Sequence, residues 1–409
     1  MREVLFLCHR IPYPPNKGDK IRAYHWLRAL ASRYVVHLGT FVDDPADWSG
    51  RDTVQQWCDQ TCFRPLVPMR ARLRSLNGLR RREALSFAYY RDARMSRWVK
   101  QLAARRSLDA VIAFSSTMGP YALSVPDVRR VLDFVDVDSD KWAQYARTGT
   151  APMAWVHGRE ARKLAAAEER LADEFDASVF VSDAEADFFR HRAPQAGARI
   201  HAIANGVDAD YFSAEAGFDR LSAPGHGARV VFTGAMDYGA NVDAVCWFAE
   251  KVWPGVRAAC ADAQFTIVGL RPAARVRALA ELDGIEVTGA VADVRPYLAA
   301  ADVAVAPMRI ARGIQNKVLE AFAMGLPVVM TPQAAAGLRP VGPEFADVVE
   351  PHQAFADAVL SRFGSNPQTA AAARGYVSRY YGWPARFDEL LSLVEGASST
   401  SQSSVKEGA

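Results

Sequence analysis

The stretch from Arg309 to Thr331 reads RIARGIQNKVLEAFAMGLPVVMT and predicts a loop, a helix and a buried strand in that order. The helix is expected over about Gln315 to Met324, where a glycine and a proline follow and end it. The apolar residues Val328 to Met330 are typical of a short strand covered on both faces. With a further apolar run at Val303 to Ala306, the stretch completes a β–α–β unit, which is the repeating unit of α/β proteins.

Residues of this loop and helix are candidates for binding a nucleotide sugar: Arg309, Arg312, Gly313, Ile314, Asn316, Lys317 and Glu320. Positive charge and a glycine at a helix N-terminus favour phosphate. The Glu320 carboxylate, further into the helix, can accept two hydrogen bonds from a sugar diol. Because Glu320 lies three residues after Lys317 and four after Asn316, these side chains are expected to be neighbours. The alternative is an internal Lys317–Glu320 ion pair, worth only about 0.3–0.5 kcal/mol when exposed.

The length and composition are those of an ordinary globular protein with two domains. The chain has 409 residues, half of them apolar and 23% charged, so a disordered chain is excluded. The net charge of +3 implies no polyelectrolyte partner. The five cysteines are scattered, and their close pair, Cys58 and Cys62, lacks the further ligands of a zinc site. Reduced thiols and no bound metal are therefore expected.

Short apolar runs recur along the chain and predict two doubly wound parallel sheets. The predicted strands are Val4–Cys8, Val35–Phe41, Ala110–Phe114, Arg130–Asp138 and Ala177–Val181 in the first half, and Arg229–Phe232, Phe265–Val268, Ile285–Thr288 and Val303–Ala306 in the second. The expected fold class is α/β, with two Rossmann-like domains facing an interdomain cleft, where closure can expel water.

A loop-like stretch rich in Ser, Gly, Pro and Ala follows Phe212 and predicts the domain boundary. We expect one domain over 1–211 and a second over 212–375, which contains the candidate nucleotide-sugar site. A helix over 376–395 carries an apolar face suited to packing back on the first domain. The tail 396–409 is low in complexity and is predicted to be disordered.

The loop after the first predicted strand is a candidate ligand-binding loop. Its residues Lys17, Gly18 and Arg22 precede a helix predicted over Tyr24 to Ser32, and loops at this edge of an α/β sheet bind ligands. No G-x-G-x-x-G occurs, so a dinucleotide fingerprint is excluded. The alternative is a plain solvent-exposed turn.

Polar side chains at the ends of two strands are candidates for orienting or deprotonating an acceptor hydroxyl. Asp136 and Asp138 point the same way if their segment is extended, and His9 directly follows the first strand. Capping of the next helix is the alternative, favoured for Asp140 and left open for Asp136.

The segment 64–106 is strongly basic, with thirteen Arg or Lys against two acids, Glu83 and Asp92, and with interleaved aromatic residues. A solvated helical face is one interpretation. An anionic membrane leaflet or anionic acceptor is favoured, since each surface cation near lipid is worth about 1 kcal/mol. Nucleic acid is not favoured, because no nucleic-acid-binding motif accompanies the charge.

Hydropathy predicts a cytoplasmic protein, and the basic segment 64–106 is expected to place it on the inner face of the membrane. No apolar run approaches the roughly 20 residues needed to span a bilayer. The run Val4 to Cys8 is too short for a signal peptide and reads as a buried strand.

Four motifs occur in order along the chain: Asn205–Asp208 (NGVD), the loop at Gly234, Val287–Gly289 (VTG), and Asn316–Ala321 followed by Gly325–Val329 (NKVLEA and GLPVV). Together they resemble glycosyltransferase family 4, the group 1 sugar transferases of the GT-B fold, over nearly the whole chain. The segments DFVDVDSDKW, GAMDYGANVDAVCWF and PMRIARGIQNKVLEAFAMG are most similar to sugar transferases of bacterial exopolysaccharide loci associated with the exosortase (PEP-CTERM) system.

The resemblance implies a retaining, metal-independent transfer of a sugar, without a cofactor, from a nucleotide-diphosphate sugar to a hydroxyl. The acceptor would be a glycan or a lipid-linked intermediate of exopolysaccharide synthesis. Glu320 would grip the donor ribose, and the loop at Gly234 would lie against the diphosphate. The loop at Gly18 would lie between donor and acceptor.

Two positions depart from the family pattern. Arg312 stands where the family often has a second glutamate, and Asp237 with Tyr238 stands where it often has an arginine and a lysine. Arg309, Arg312 and Lys317 can supply the missing positive charge from the opposite loop, where guanidinium groups suit diphosphate oxygens. The departure at Arg312 leaves a second hypothesis, a non-catalytic nucleotide-sugar-binding or scaffold subunit of a polysaccharide assembly complex. A nucleotide-sugar epimerase of the same architecture is a third.

Overall fold

The computed structural model describes residues 2–15, 18–148, 150–219, 221, 227–311, 314–350, 352–364 and 367–396. Three candidate residues, Lys17, Arg312 and Gly313, lie outside the described residues, as does the tail from 397. The chain divides into two units, Met1–Ala204 with Arg386–Ala409, and Asn205–Ala385. The boundaries expected from the sequence, 211 and 375, differ from these, because the NGVD motif and residues 376–385 belong to the second unit.

The described residues of the first unit form a seven-stranded parallel sheet with the strand order β3-β2-β1-β4-β5-β6-β7. The strands are β1 (Glu3–Cys8), β2 (Val35–Val42), β3 (Gln60–Pro65), β4 (Ala110–Phe114), β5 (Arg129–Val135), β6 (Ala177–Phe180) and β7 (Ile200–Ala202). The central strands β1 and β4 are almost fully buried, in agreement with their continuous apolar sequences.

The second unit has a six-stranded parallel sheet in the part of the chain that is described, with the order β10-β9-β8-β11-β12-β13. Its strands are β8 (Arg229–Thr233), β9 (Gln264–Val268), β10 (Ile285–Gly289), β11 (Val303–Ala306), β12 (Val328–Met330) and β13 (Ala346–Val348). Each sheet begins at its centre and then reverses direction, so the predicted pair of doubly wound sheets is confirmed. Ligands of such sheets bind at the carboxyl ends of the central strands, beside this reversal.

Helices connect the strands of both sheets. In the first unit they are α1 (Gly18–Ala31), α2 (Arg51–Gln55), α3 (Pro68–Ser75), α4 (Asn77–Arg80), α5 (Leu85–Tyr89), α6 (Ala93–Arg105), α7 (Gly119–Ala122), α8 (Asp138–Thr148), α9 (Met153–Glu174) and α10 (Asp183–Arg192). The later ones are α11 (Gly239–Trp247), α12 (Trp253–Ala259), α13 (Ala274–Ala278), α14 (Arg295–Ala299), α15 (Asn316–Ala323), α16 (Pro332–Ala335), α17 (His352–Ser361), α18 (Pro367–Tyr380) and α19 (Trp383–Glu395). Each unit has its own apolar core.

The helix expected over Tyr24 to Ser32 is α1, and it begins earlier, at Gly18. Gly18 and Arg22 therefore belong to a helix and not to a loop. The charged side chains of its first turns are buried against acids: Lys20 Nζ lies 2.9 Å from Asp47, and Arg22 Nε lies 2.7 Å from Asp133. Lys20 and Arg22, whose charges are typical of a surface loop, are here part of the interior.

The strand expected over Arg130 to Asp138 is β5, and it ends at Val135. The backbone at Val135 has φ of 68°, which turns the chain out of the extended conformation. Asp138 is already the first residue of α8. Strand alternation therefore does not set the directions of the Asp136 and Asp138 side chains.

The segment expected to form one C-terminal helix over 376–395 contains the end of α18 and the whole of α19. From Arg386 onward α19 belongs to the first unit. Asp388 lies 3.0 Å from Arg33 Nη2, and Tyr34 donates to Glu395 at 3.2 Å. Contacts with the turn between α1 and β2 thus hold the end of the described chain on the first unit.

Candidate functional site

Two glycines bring the ends of β8 and β9 very close at the carboxyl edge of the second sheet. Gly234 N donates to Val268 O at 3.0 Å, and a Cβ on Gly269 would lie only 1.6 Å from Gly234 O. This approach requires glycine at position 269. A Cβ on Gly234 would lie 2.7 Å from Asn241 Nδ2 and 3.5 Å from Lys317 Cε, so Gly234 leaves room for both side chains.

Lys317, in the first turn of α15, is held by groups from β8, from α11 and from the residue before its own helix. Its Nζ donates to Asn241 Oδ1 at 3.0 Å, and Gln315 Oε1 is 3.5 Å away. The ammonium also lies 5.1 Å from the centre of the Phe232 ring, a cation–π distance. Asn241 Nδ2 donates to Ala235 O at 3.0 Å. The lysine is therefore fixed to the glycine loop (residues 234–238).

Lys317 and Glu320 are both poorly hydrated, and their pKa values move toward each other. Burial lowers the pKa of Lys317 to about 8, although the nearby Glu320 opposes this shift. Burial raises the pKa of Glu320 to about 7, and Lys317 opposes that shift in turn. No ion pair joins the two among the described residues, so the internal helix pair is not formed. Charged side chains whose pKa values are shifted by burial in this way are typical of ligand sites.

Arg309 is bound to Asp243 of α11. Its Nε donates to Asp243 Oδ2 at 3.0 Å, and its Nη2 donates to Oδ1 of the same carboxylate. Half of the Arg309 side chain is nevertheless exposed. Since exposed pairs of this kind contribute about 0–1 kcal/mol, a diphosphate can compete with Asp243 for the guanidinium.

Asn316 opens α15, and its Oδ1 is buried without a hydrogen-bond partner among the described residues. Leaving such an oxygen unpaired costs about 1–3 kcal/mol, so a ligand hydroxyl or amide would be favoured there. Asn316 and Glu320 are four residues apart and share one face of the helix. Ile314 is partly buried just before the helix.

Sequence reasoning missed three residues of this region, namely Asn241, Asp243 and Arg271. Arg271 Nε lies 2.8 Å from Asp237 Oδ2, so the acid that departs from the family pattern is neutralised by a nearby arginine. A signal exists for Asn241, because it follows the loop at Gly234 within a few residues of sequence. Nothing in the sequence links Asp243 to Arg309.

In the first unit, His9 follows β1 and lies in a polar cluster. Its Nε2 is 3.3 Å from Asp19 Oδ2, which Arg10 Nη1 approaches at 3.0 Å. Burial alone would raise the pKa of Asp19, but His9 and Arg10 hold it below its ordinary value. The imidazole is parallel to the Phe114 ring at 5.9 Å, and its Nδ1 is buried without a hydrogen-bond partner in the described chain.

Asp136 and Asp138 converge on one lysine rather than on His9. Lys141 Nζ lies 2.7 Å from Asp136 Oδ2 and 3.2 Å from Asp138 Oδ1. Burial would lower the pKa of Lys141, but Asp138 and Asp136 raise it above its ordinary value. Both carboxylates are partly exposed and can still accept a proton or a hydrogen bond from a hydroxyl.

Gly18 and Arg22, predicted as part of a ligand loop, differ in their exposure. A Cβ on Gly18 would meet nothing within 4 Å, so this position is open. Arg22 is fully buried, and besides Asp133 it donates to Ile203 O at 2.8 Å. Its position is that of a core residue.

Neither a metal centre nor a membrane span is evident in the described ranges. No group of three or more His, Cys, Asp or Glu is placed to hold a metal ion in the described part of the chain. Of the helices that are described, none combines the length and apolar character needed to cross a bilayer.

Part of the chain matches a known protein family. Residues 227–363 match the family model described as "Glycosyl transferases group 1". This segment contains the glycine loop and α15, and with them Lys317 and Glu320. No curated protein matches the sequence.

Solved structures share the fold of nearly the whole chain at low sequence identity. HepE from Anabaena, crystallised with UDP, is 15% identical with a TM-score of 0.62, covering 97% of this chain and 100% of that one. A glycosyltransferase from Rickettsia africae is 12% identical with a TM-score of 0.63, covering 98% and 100%. WaaG, a glycosyltransferase involved in lipopolysaccharide biosynthesis, is 16% identical with a TM-score of 0.61, covering 96% and 100%. The chain thus has the fold of the GT-B glycosyltransferases, two Rossmann-like α/β domains, and its residues 227–363 match the group 1 family.

Proposed function

We propose that the protein is a glycosyltransferase that moves a sugar from a nucleotide-diphosphate sugar to a hydroxyl acceptor. The observation that carries the proposal is the fixed ammonium of Lys317 beside the glycine loop, with the desolvated carboxyl of Glu320 one turn further along α15. The match of residues 227–363 to group 1 glycosyl transferases supports the same reaction.

Each group of this site has a distinct task in the proposed reaction. Lys317 and Arg309 stabilise the charge that develops on the leaving diphosphate, together with the backbone amides of Gly313 and Ile314. Glu320 holds the ribose diol, and Asn316 accepts a further hydrogen bond from the donor. Gly234 leaves space for the diphosphate beside the lysine.

The finer features of the reaction follow the family resemblance. The transfer retains the anomeric configuration and needs no metal, and the acceptor is a glycan or lipid-linked intermediate of exopolysaccharide synthesis. Two further features rest on the residues themselves: His9, Asp136 or Asp138 orients the acceptor hydroxyl, and the basic segment 64–106 places the enzyme on the inner face of the membrane.

Turnover with a panel of nucleotide sugars tests the proposal. UDP-glucose is the first donor to try, because HepE was crystallised with it. Release of nucleoside diphosphate and formation of a glycosylated product are expected, with loss of both in Glu320→Ala. Absence of turnover with every donor and acceptor, together with intact nucleotide binding, would favour the non-catalytic subunit that Arg312 suggests. Product formed without an acceptor would identify an epimerase.

A further inference from the structure

Five large apolar side chains are exposed in one short segment of the first unit. They lie on α3, on α4 and at their caps, and they are between 42% and 71% exposed: Val67, Met69, Leu73, Leu76 and Leu79. We call this set the apolar stripe. Single exposed apolar residues are ordinary, but a contiguous group marks an interaction surface.

The orientation of α3 turns this stripe outward. Met69, Leu73 and Leu76 are spaced by four and three residues, so they lie on one face of the helix. Ala71 lies on the opposite face and is buried. Arg74 fixes the helix by donating to Tyr89 O at 2.6 Å. The helix thus packs on the unit through its small residue and presents its large apolar residues to solvent, the reverse of an ordinary surface helix.

Positive charge without partners surrounds the apolar stripe. Arg70 and Arg72 flank it on α3, and three further arginines follow at its end. These five residues are exposed and form no ion pair in the described part of the chain: Arg70, Arg72, Arg80, Arg81 and Arg82. Other arginines of the basic segment are paired, as Arg64 is with Asp92 and Arg91 with Glu83.

A second element adds aromatic residues to the same surface. Tyr145 on α8 and Met153 and Trp155 on α9 are more than half exposed. Helix α9 is bonded directly to the segment of the stripe, because Arg159 Nη2 donates to Gly78 O at 3.2 Å. Trp155 lies one helical turn before Arg159, on the same face of α9.

The neighbouring residue of α9 strengthens this connection. The Glu160 carboxylate accepts hydrogen bonds from Leu85 N at 2.6 Å and from Ser86 N at 2.9 Å. Glu160 thereby binds the N-terminus of α5, the helix that follows the stripe and its arginines. The stripe and the α8–α9 aromatic residues are thus parts of one fixed surface.

We propose that this surface docks on an anionic lipid leaflet. The apolar stripe enters the boundary between headgroups and acyl chains, the arginines contact lipid phosphates, and Tyr145 and Trp155 lie at the headgroup level, where aromatic residues are favoured. The docking surface gives the membrane association of the proposed function its side chains. It rests on the proposed function only in that a lipid-linked acceptor would be used at the membrane.

The charges argue against the other occupants of such a surface. In a symmetric dimer built on the stripe, five unpaired arginines of one copy would face the same five of another, which is unfavourable. Nucleic acid would use the arginines but would leave Met69, Leu73 and Leu76 exposed. A lipid leaflet accommodates both the charge and the apolar side chains.

Vesicle sedimentation of the full-length protein tests the proposal. Vesicles of phosphatidylcholine with phosphatidylglycerol should bind the protein, and pure phosphatidylcholine should bind it at least tenfold more weakly. Leu73→Glu with Leu76→Glu should reduce binding about tenfold or more, since it places charge where apolar surface is buried. Arg72→Gln and Arg80→Gln should each reduce vesicle binding about fivefold, and added salt should also weaken vesicle binding.

Leu282→Glu is the matched control, because Leu282 is an exposed leucine of the second unit. It should bind vesicles like the unchanged protein. Calorimetric affinity for UDP should be unaltered in Leu73→Glu with Leu76→Glu, so that loss of docking is distinct from loss of donor binding. Vesicle binding that is insensitive to these substitutions would overturn the proposal. Concentration-dependent dimers that disappear in the same variant would overturn it in favour of self-association.

Discussion

The Lys317 ammonium donates to Asn241 Oδ1 at 3.0 Å, and this contact joins α15 to α11 across 76 residues of sequence. Asn241 itself donates to Ala235 O, so it holds the lysine to the glycine loop. The position of the ammonium is therefore set before any ligand arrives. Preorganised charge of this kind stabilises a leaving anion better than a mobile side chain does, because no reorganisation is needed during the reaction.

The first prediction concerns donor binding. Glu320→Gln should weaken binding of UDP about tenfold to a hundredfold, since hydrogen bonds to a charged group contribute about 1.5–3 kcal/mol. Titration calorimetry measures the affinity. Glu286→Gln, which changes an exposed glutamate of the same unit, serves as the control and should bind UDP normally. Equal affinities of the two variants would remove Glu320 from the donor site.

The second prediction concerns pH. Only the ionised Glu320 accepts two hydrogen bonds from a diol, and its pKa is raised to about 7, so UDP affinity should increase as the pH rises through 7. Stability should change in the opposite direction. A carboxyl with a raised pKa in the folded state stabilises the protein below the pKa of the unfolded chain, and this contribution is lost as the pH rises through the folded pKa.

For Glu320 that window runs from the ordinary value of 4.5 to about 7. Across it the unchanged protein should lose about 2 kcal/mol of unfolding free energy relative to Glu320→Gln, less than the full shift because the side chain is partly exposed. Urea unfolding of the ligand-free proteins at several pH values measures the difference. Parallel pH profiles for the two proteins would contradict a raised pKa at Glu320.

The strands that can be predicted from the sequence are those whose burial is visible in their own residues. β1, β4 and β11 are buried on both faces, so their sequences are continuous apolar runs. β3 has the polar sequence QTCFRP and is only partly buried, so it carries no such run. β13 has three residues, too few for a periodic pattern. These two strands, and β7, which also has only three residues, owe their pairing to their neighbours in the sheet.

The candidate site divides in the same way. Asn316, Lys317 and Glu320 share one helix, and their spacing predicts their proximity. Asn241 and Asp243 reach this region from another helix, and a single sequence does not show which residues of α15 and its preceding loop they contact. Arg22 shows the opposite error, because its charge suggests a surface while its partner Asp133 lies 111 residues away in the core.

The third prediction concerns the glycine loop. Gly234→Ala would place a methyl group 2.7 Å from Asn241 Nδ2, so it should displace Asn241 and release Lys317. Affinity for UDP should fall by about tenfold, comparable to the loss of one hydrogen bond to a charged group. Gly239→Ala is the matched control, since a Cβ there meets nothing within 4 Å. If both variants bind UDP equally, the loop does not position the lysine.

The fourth prediction concerns the partner of Arg309. Asp243→Asn removes the carboxylate that pairs with the Arg309 guanidinium. A diphosphate can then bind Arg309 without first breaking this ion pair. UDP should bind a few-fold more tightly at low salt, an effect of about 0.5–1 kcal/mol that high salt should reduce. Calorimetry at two salt concentrations measures it. Arg309→Ala in the same background should abolish the gain, and a gain that persists there would show that Arg309 is not the phosphate contact.

The fifth prediction separates a core role for Arg22 from a ligand role. Asp133→Asn leaves the buried Arg22 guanidinium without its counter-charge, and removing one partner of a buried pair costs about 3–5 kcal/mol. Trp26, which donates to the same Asp133 oxygen at 2.6 Å, also loses a strong acceptor. Hydrogen exchange of the β1 and β5 amides should therefore accelerate markedly in Asp133→Asn.

Removing both charges in Arg22→Met with Asp133→Leu should restore much of the protection, because apolar replacements of similar size avoid an isolated buried charge. A ligand role for Arg22 predicts the reverse pattern. Exchange would then be unchanged in the single variant, and transfer to the acceptor would be lost in both. An ion pair that holds α1 on β5 therefore predicts an order of protection with the unchanged protein first, the double variant second and Asp133→Asn last.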